Sequence, residues 1–250
     1  MRPRHLPLIW MVPITAVLAA AGFLTGNRFL FPLLAMAPAY PVMVDLLLQG
    51  RRGRAVAAML IWAASLSVTS VGLCLWFPDH AAATVWNGPA YAGEMFRWLA
   101  TGVGTESEPS RFLIQLALHA ALFVVLSLAT ASLASLYLGT LMVNYMAYYV
   151  ASVIHAASGA PLAVAMAWHP WSVIRMGAFV VLGVVLAEPL LGIVQRGKQT
   201  AAGRGFWIGV ALAGLVMDAV LKAALAPWWR IWLQRLVRAG ELHSAGGGRW

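Results

Sequence analysis

The sequence predicts an all-α, polytopic transmembrane helical bundle of about seven spans, followed by a C-terminal amphipathic interfacial helix. Three observations carry this. Of the 250 residues, 62% are hydrophobic and only 10% are charged, against about 25% charged in soluble domains. Mean hydropathy is +0.80, more apolar surface than a soluble core of this length can absorb, so lipid must serve as solvent. The apolar residues also fall into runs of roughly 20, the length that crosses a hydrocarbon core of about 30 Å.

These runs lie at 7–25, 29–49, 55–77, 112–136, 138–157, 172–194 and 206–226. The first has a basic start, and a second apolar run follows almost at once, which fits a retained span rather than a cleaved signal peptide. "TGNR" (25–28) and "QGRRGR" (49–54) read as polar turns. Segment 78–110 is the only long polar connection, and it holds Asp79, Glu94, Glu106 and Glu108, half of the eight acids. Between Arg111 and Arg175, 63 residues contain no Asp, Glu, Lys or Arg. That stretch holds two spans plus an apolar connection, 155–171, which re-enters the membrane or lies in its interface, where protein or water must satisfy its amides. Ser127, Ala131, Ser135 and Gly139 recur every four residues, a small-xxx-small pattern that admits a close helix partner.

Basic residues at span ends set the expected orientation. With the N-terminus, 51–54 and 196–204 in the cytoplasm, and the tail after residue 226 set aside, eight basic residues at span ends or in loops lie inside and four outside, as the positive-inside bias requires. Segment 78–110 is then extracytoplasmic. Two regions follow: a transmembrane helical domain, 1–226, and an interfacial helix with a flexible tail, 227–250. In "WWRIWLQRLVRAG" (228–240), Arg230, Gln234, Arg235 and Arg238 share one arc, opposite Trp228, Trp229, Trp232 and Leu233. Such a helix suits the acyl boundary. Its charge prefers the anionic cytoplasmic leaflet, whereas seven spans place it outside.

Composition also excludes classes. A net charge of +9 comes from 15 Arg and 2 Lys, spread over loops and ends rather than over a soluble basic module, so nucleic acid is not an expected partner. The lone cysteine, Cys74, rules out an internal disulfide and a thiolate cage. No phosphate-binding glycine loop is present.

Polar residues inside spans are costly and face the bundle interior. Asp218 and Lys222 stand four apart in "GLVMDAVLKAALAPWW", on one helix face, where they can form an internal ion pair. The same spacing in a last span is similar to the retinal-binding helix of microbial rhodopsins. That resemblance covers these two positions and implies retinal on Lys222. The span 55–77 supplies no Arg or acid to extend it. Asn144, Tyr148, His155 and Ser158 form a polar stripe along the fifth run. Arg111, Gln115 and His119 recur every four residues in the fourth, so His119 and His155 are expected in the same half of the bilayer. Their spacing matches no metal motif, and no metal is assigned. Glu188, beside Pro189, lies about two turns from Arg196 and so reaches toward the cytoplasmic interface; Asp45, at a similar depth, can pair with Arg51 or Arg52.

The expected function is that of a subunit of a membrane complex or transport system in a bacterial inner membrane. It binds or passes a small solute or ion through a polar bundle interior, among lipid and other membrane subunits. One alternative is a membrane enzyme for a lipid-soluble substrate, using His119, His155 and an acid from Glu94, Glu106 or Glu108. Another is a retinal- or haem-binding protein.

Overall fold

The computed structural model describes residues 8–194 and 203–246. All its elements are helical: a 3-10 turn at Leu8–Trp10, then α1 (Met11–Leu24), α2 (Leu30–Met36), α3 (Ala39–Leu48), α4 (Arg52–Trp76), α5 (Pro78–Thr84), α6 (Gly88–Thr101), α7 (Pro109–Thr130), α8 (Leu133–Ala156), α9 (Pro161–Ala167), α10 (Pro170–Val194) and α11 (Arg204–Gly246). Among the described residues, five segments are long and apolar enough to cross a membrane: Leu30–Leu48, Arg52–Trp76, Pro109–Thr130, Pro170–Ile193 and Arg204–Gly240. The chain is a multi-pass membrane protein. The run Leu8–Leu24 is shorter, and α8, though 24 residues long, carries Asn144, four tyrosines and His155.

Local chemistry explains most boundaries. Proline opens α5, α6, α7 and α9 at the first or second helical position, where its missing N–H costs nothing. The Asn27 side chain accepts from the amides of Phe29 and Leu30 at 2.9 and 3.2 Å, fixing the entry to α2. Gly22 lets α1 and α2 close on each other, since a Cβ there would sit 3.0 Å from the Phe31 backbone.

Two expectations are corrected. The 78–110 connection is not a loop: α5 and α6 fill most of it, and Met95, Trp98 and Leu99 of α6 are buried. The fourth and fifth spans break near residue 131 rather than 137. Ala131 and Ser132 both adopt left-handed backbone conformations, at φ 47° and 67°. The small residues therefore close a helical hairpin instead of lining one face of one helix. The Ser127 hydroxyl donates to Ser135 Oγ at 2.7 Å across the turn, and the Ser132 hydroxyl donates to the Gly183 carbonyl of α10 at 2.6 Å. The 155–171 connection contains α9, packed on α8 and α11.

The tail continues the last helix. α11 runs unbroken through Pro227 for 43 residues, so the expected boundary at 226/227 falls inside one helix. Its far half has a protein surface under it. Leu233 is fully buried, Trp229 donates to the Met166 carbonyl at 2.8 Å, and Arg230 donates to the Leu99 carbonyl near the end of α6 at 3.2 Å. Gly240 lies so close to the Ala156–Ala157 backbone that no Cβ fits. Trp228 and Trp232 face outward.

Two charged clusters mark opposite ends of the bundle. At one end, Glu188 of α10 accepts from Arg52 of α4, by Nε and by Nη2 at 2.9 Å, and from Arg204 Nε of α11 at 3.0 Å. Arg196 lies outside the described residues. Asp45 is exposed and accepts from the Gln49 amide at 2.8 Å. The other cluster contains Lys222, 18 positions beyond Arg204 in α11. At 1.5 Å per residue that is about 27 Å, close to the thickness of a hydrocarbon core.

Candidate functional site

The second cluster is built from α10, α11 and the segment joining α6 to α7. Asp218 and Lys222 are 1% and 2% exposed, yet the ion pairs they make are with other elements. The Lys222 ammonium donates to Glu106 Oε1 at 2.8 Å. It also lies 4.8 Å from the centre of the Phe112 ring, a favourable cation–π contact. Asp218 instead faces Arg175, 3.9 Å from Nη1 to Oδ2. The expected internal pair is thus exchanged for two tertiary ones, because a carboxylate and a guanidinium from neighbouring elements reach the same face.

Aromatic groups complete the surroundings. The Trp171 indole donates to Glu106 Oε2 at 3.2 Å and stacks on His169, with ring centres 4.7 Å apart. The Tyr149 hydroxyl lies 3.2 Å from His169 Nε2, while His169 Nδ1 has no partner. Trp98 packs edge-on against the same imidazole and donates to Ser107 at 2.7 Å. This pins the segment that carries Glu106.

Burial penalises the charged Glu106 carboxylate, but Lys222, Arg175 and His169 outweigh it and hold the group below the ordinary carboxylate range. Burial drives His169 the other way, to about 4, so the ring is neutral at physiological pH. The unfolded chain titrates this histidine near pH 6.5. Between pH 6.5 and 4 the unfolded state binds a proton that the folded state refuses, so stability falls as pH falls through that window. Glu106 adds its own loss below its unfolded value. Thermal midpoints recorded against pH in mild detergent are expected to decline from pH 6.5 to 4, with a slope of up to about 1.4 kcal/mol per pH unit from this residue. The His169→Gln variant is expected to lose that part of the slope; an unchanged profile would dismiss the assignment.

Beside the cluster lies a cavity of about 360 Å³ between α4, α7, α8 and α10. Such a volume falls within the ordinary range for small-molecule sites. One end is polar, lined by Tyr91, Glu106, Gln115, His119, Arg175 and Lys222; the other is apolar, with Met43, Met59, Trp62, Phe123 and Phe179 in its wall. α7 and α8 touch at the Ser127–Ser135 turn, and beyond it the cavity occupies the space between them.

Of the residues singled out from sequence, Gln115, His119 and Lys222 line this cavity, and Asp218 stands behind Arg175. Asn144 is buried: its Oδ1 accepts from the Ser70 hydroxyl at 3.0 Å, and its Nδ2 has no partner. Tyr148 is half-buried and packs near Gly88. His155 is exposed at the end of α8 and does not reach His119, and Ser158 donates to the Gly240 carbonyl at 3.0 Å. The stripe therefore serves several neighbours. Among the described residues, no group of three or more His, Cys, Asp or Glu side chains is placed to hold a metal ion. Sequence spacing does not mark Arg175, Trp171 or His169 as site residues, and places Tyr149 only beside the polar stripe. The available signal was Arg175 itself, the first charge after 63 uncharged residues and the start of an apolar helix.

The fold and site define a multi-pass helical membrane protein with an interhelical cavity that is charged at one end. No protein-family profile matches the chain, and neither a curated protein nor a solved structure is significantly similar to it.

Proposed function

We propose that this chain binds or passes a small amphipathic solute within a cell membrane, as a transport component or a subunit of a membrane complex. The carrying observation is the cavity: a charged end beside Arg175 and Lys222, and an apolar end around Trp62. In this reading Leu8–Leu24 and α8 also cross, giving seven spans, with the Arg52–Glu188–Arg204 end in the cytoplasm. The charged end of the cavity then sits near the opposite interface, where head groups lie and acyl chains point inward.

A second reading has one observation in its favour. His119, Glu94 and Glu106 line the same cavity, so a membrane enzyme for a lipid-soluble substrate retains a histidine and loop carboxylates at one place. His155 has no part in it.

Trp62 is only 2% exposed and lines the cavity, so a quencher must enter the cavity to reach it. A single-chain amphiphile brominated at its tail is expected to quench the fluorescence that Trp62 contributes, defined by difference from Trp62→Phe. Gly139 also lines the cavity, and a Cβ there would meet nothing within 4 Å. Gly139→Phe is expected to abolish the Trp62-specific quenching without lowering the thermal midpoint. Quenching that persists in this variant, or none in the native protein whatever the head group, would sink the reading.

A further inference from the structure

Resting on the cavity reading above, we infer that the site selects an amphiphile with an anionic head group, a carboxylate or a phosphate, seated on Arg175. The argument is a count of hydrogen-bonding capacity at the polar end. Both oxygens of Glu106 are engaged, Oε1 by Lys222 and Oε2 by Trp171. That contact takes one of the three Lys222 donors and pairs its charge. Asp218 is not in the cavity wall; it stands behind the guanidinium at 3.9 Å. Glu94, at the rim, is exposed and accepts from the Thr105 hydroxyl at 2.7 Å. Each acid facing the cavity thus already accepts a hydrogen bond from the protein, Glu106 on both of its oxygens.

Arg175 is in the opposite condition. A guanidinium carries five N–H donors in a fixed fork. Here it donates to Ser172 Oγ at 3.3 Å and faces Asp218 at a distance too long for a hydrogen bond. Its side chain is 23% exposed, and it lines the cavity. Gln115 and His119 of α7 line the same polar end, and both side chains can offer further N–H groups. A planar fork with open donors is the form of cation that binds carboxylate or phosphate in two places at once. The Glu106 carboxylate shows that this environment accepts such a group, since an ammonium and an indole N–H already converge on it. Behind the seat, Met43, Met59, Trp62 and Phe179 offer an apolar wall for a chain and no partner for a second charge.

The experiment compares tail-brominated amphiphiles of equal chain length with four head groups: carboxylate, phosphate monoester, alcohol and trimethylammonium. The protein is held in nanodiscs of zwitterionic lipid, and Trp62-specific quenching is the readout. Carboxylate and phosphate are expected to act at concentrations about tenfold or more below the alcohol, the size of a charge-assisted hydrogen bond, and the ammonium probe least of all. Arg175→Gln is expected to remove the preference while leaving the alcohol's binding unchanged. The double variant Arg175→Gln/Asp218→Asn removes both charges together, so the result is readable even if the single variant leaves Asp218 stranded and unstable. Inorganic phosphate added as competitor separates the sources. Competition at millimolar levels marks a seat for the free anion, and no competition marks a lipid head group that needs its chain; either fits the anionic seat. Equal quenching by all four head groups, or strongest quenching by the ammonium probe, overturns the anionic seat and leaves the cavity reading standing. No quenching by any probe overturns the cavity reading itself.

Discussion

Glu106→Ala is expected to be among the most damaging single substitutions in the protein, lowering stability by about 3–5 kcal/mol. The change leaves the Lys222 ammonium buried at 2% exposure without its 2.8 Å partner. Asp218, one helical turn earlier, faces Arg175 at 3.9 Å, and its buried Oδ1 has no hydrogen-bond partner. The companion substitution Lys222→Met on the Glu106→Ala background is expected to restore most of the loss. Replacing both members of a buried pair removes the cost of desolvating them, while removing one strands the other. Thermal midpoints of the native protein, the two single variants and the double variant in the same detergent give the cycle. Additive single losses would show that the pair does not act as a unit.

Glu188→Ala is expected to rank second, at about 3 kcal/mol. One carboxylate there serves Arg52 and Arg204, so its removal releases three helices together, α4, α10 and α11. The two guanidinium side chains are 14% and 29% exposed, so water recovers part of their hydration and the loss is smaller than at Glu106. Glu188→Gln keeps an acceptor and is expected to lose less than the alanine variant. Asp45→Asn, at an exposed acid near the same bundle end, is expected to stay within about 0.5 kcal/mol. A Glu188→Ala midpoint equal to that of Asp45→Asn would remove this cluster from the stabilising contacts.

The sequence made the helical, lipid-facing character of the chain plain, because hydropathy sums over many residues. Asp218 and Lys222 were also legible as buried polar positions, since a charge amid 20 apolar neighbours has few other places to be. What could not be read was whom they meet. Helical spacing puts Asp218 beside Lys222, and only the packing of α10 against α11 and the return of the 102–108 segment supply Arg175 and Glu106. The same limit explains the small residues near 131. Four-residue spacing is consistent with one continuous helix, whereas two successive left-handed residues, neither of them glycine, leave no compositional trace. Segment 78–110 read as polar because its acids stand out; Met95, Trp98 and Leu99 of α6 were the quieter sign that it packs. His155 is exposed at the end of α8 and is not among the cavity-lining residues, whereas His119 is.

The Glu106–Lys222 contact joins positions 116 residues apart, and that separation has a meaning during synthesis. At about 5–20 residues per second, Glu106 leaves the ribosome roughly 6–23 seconds before Lys222 does. Through that interval the carboxylate has no Lys222 ammonium to meet, although Trp98 and Ser107, which pin its segment, have both been made. The arrival of α11 supplies the missing cation and fixes the wall of a cavity whose other helices are already in place. The charged end of the cavity is therefore completed in the order of translation: Glu106 can meet Lys222 only after α11 has been made.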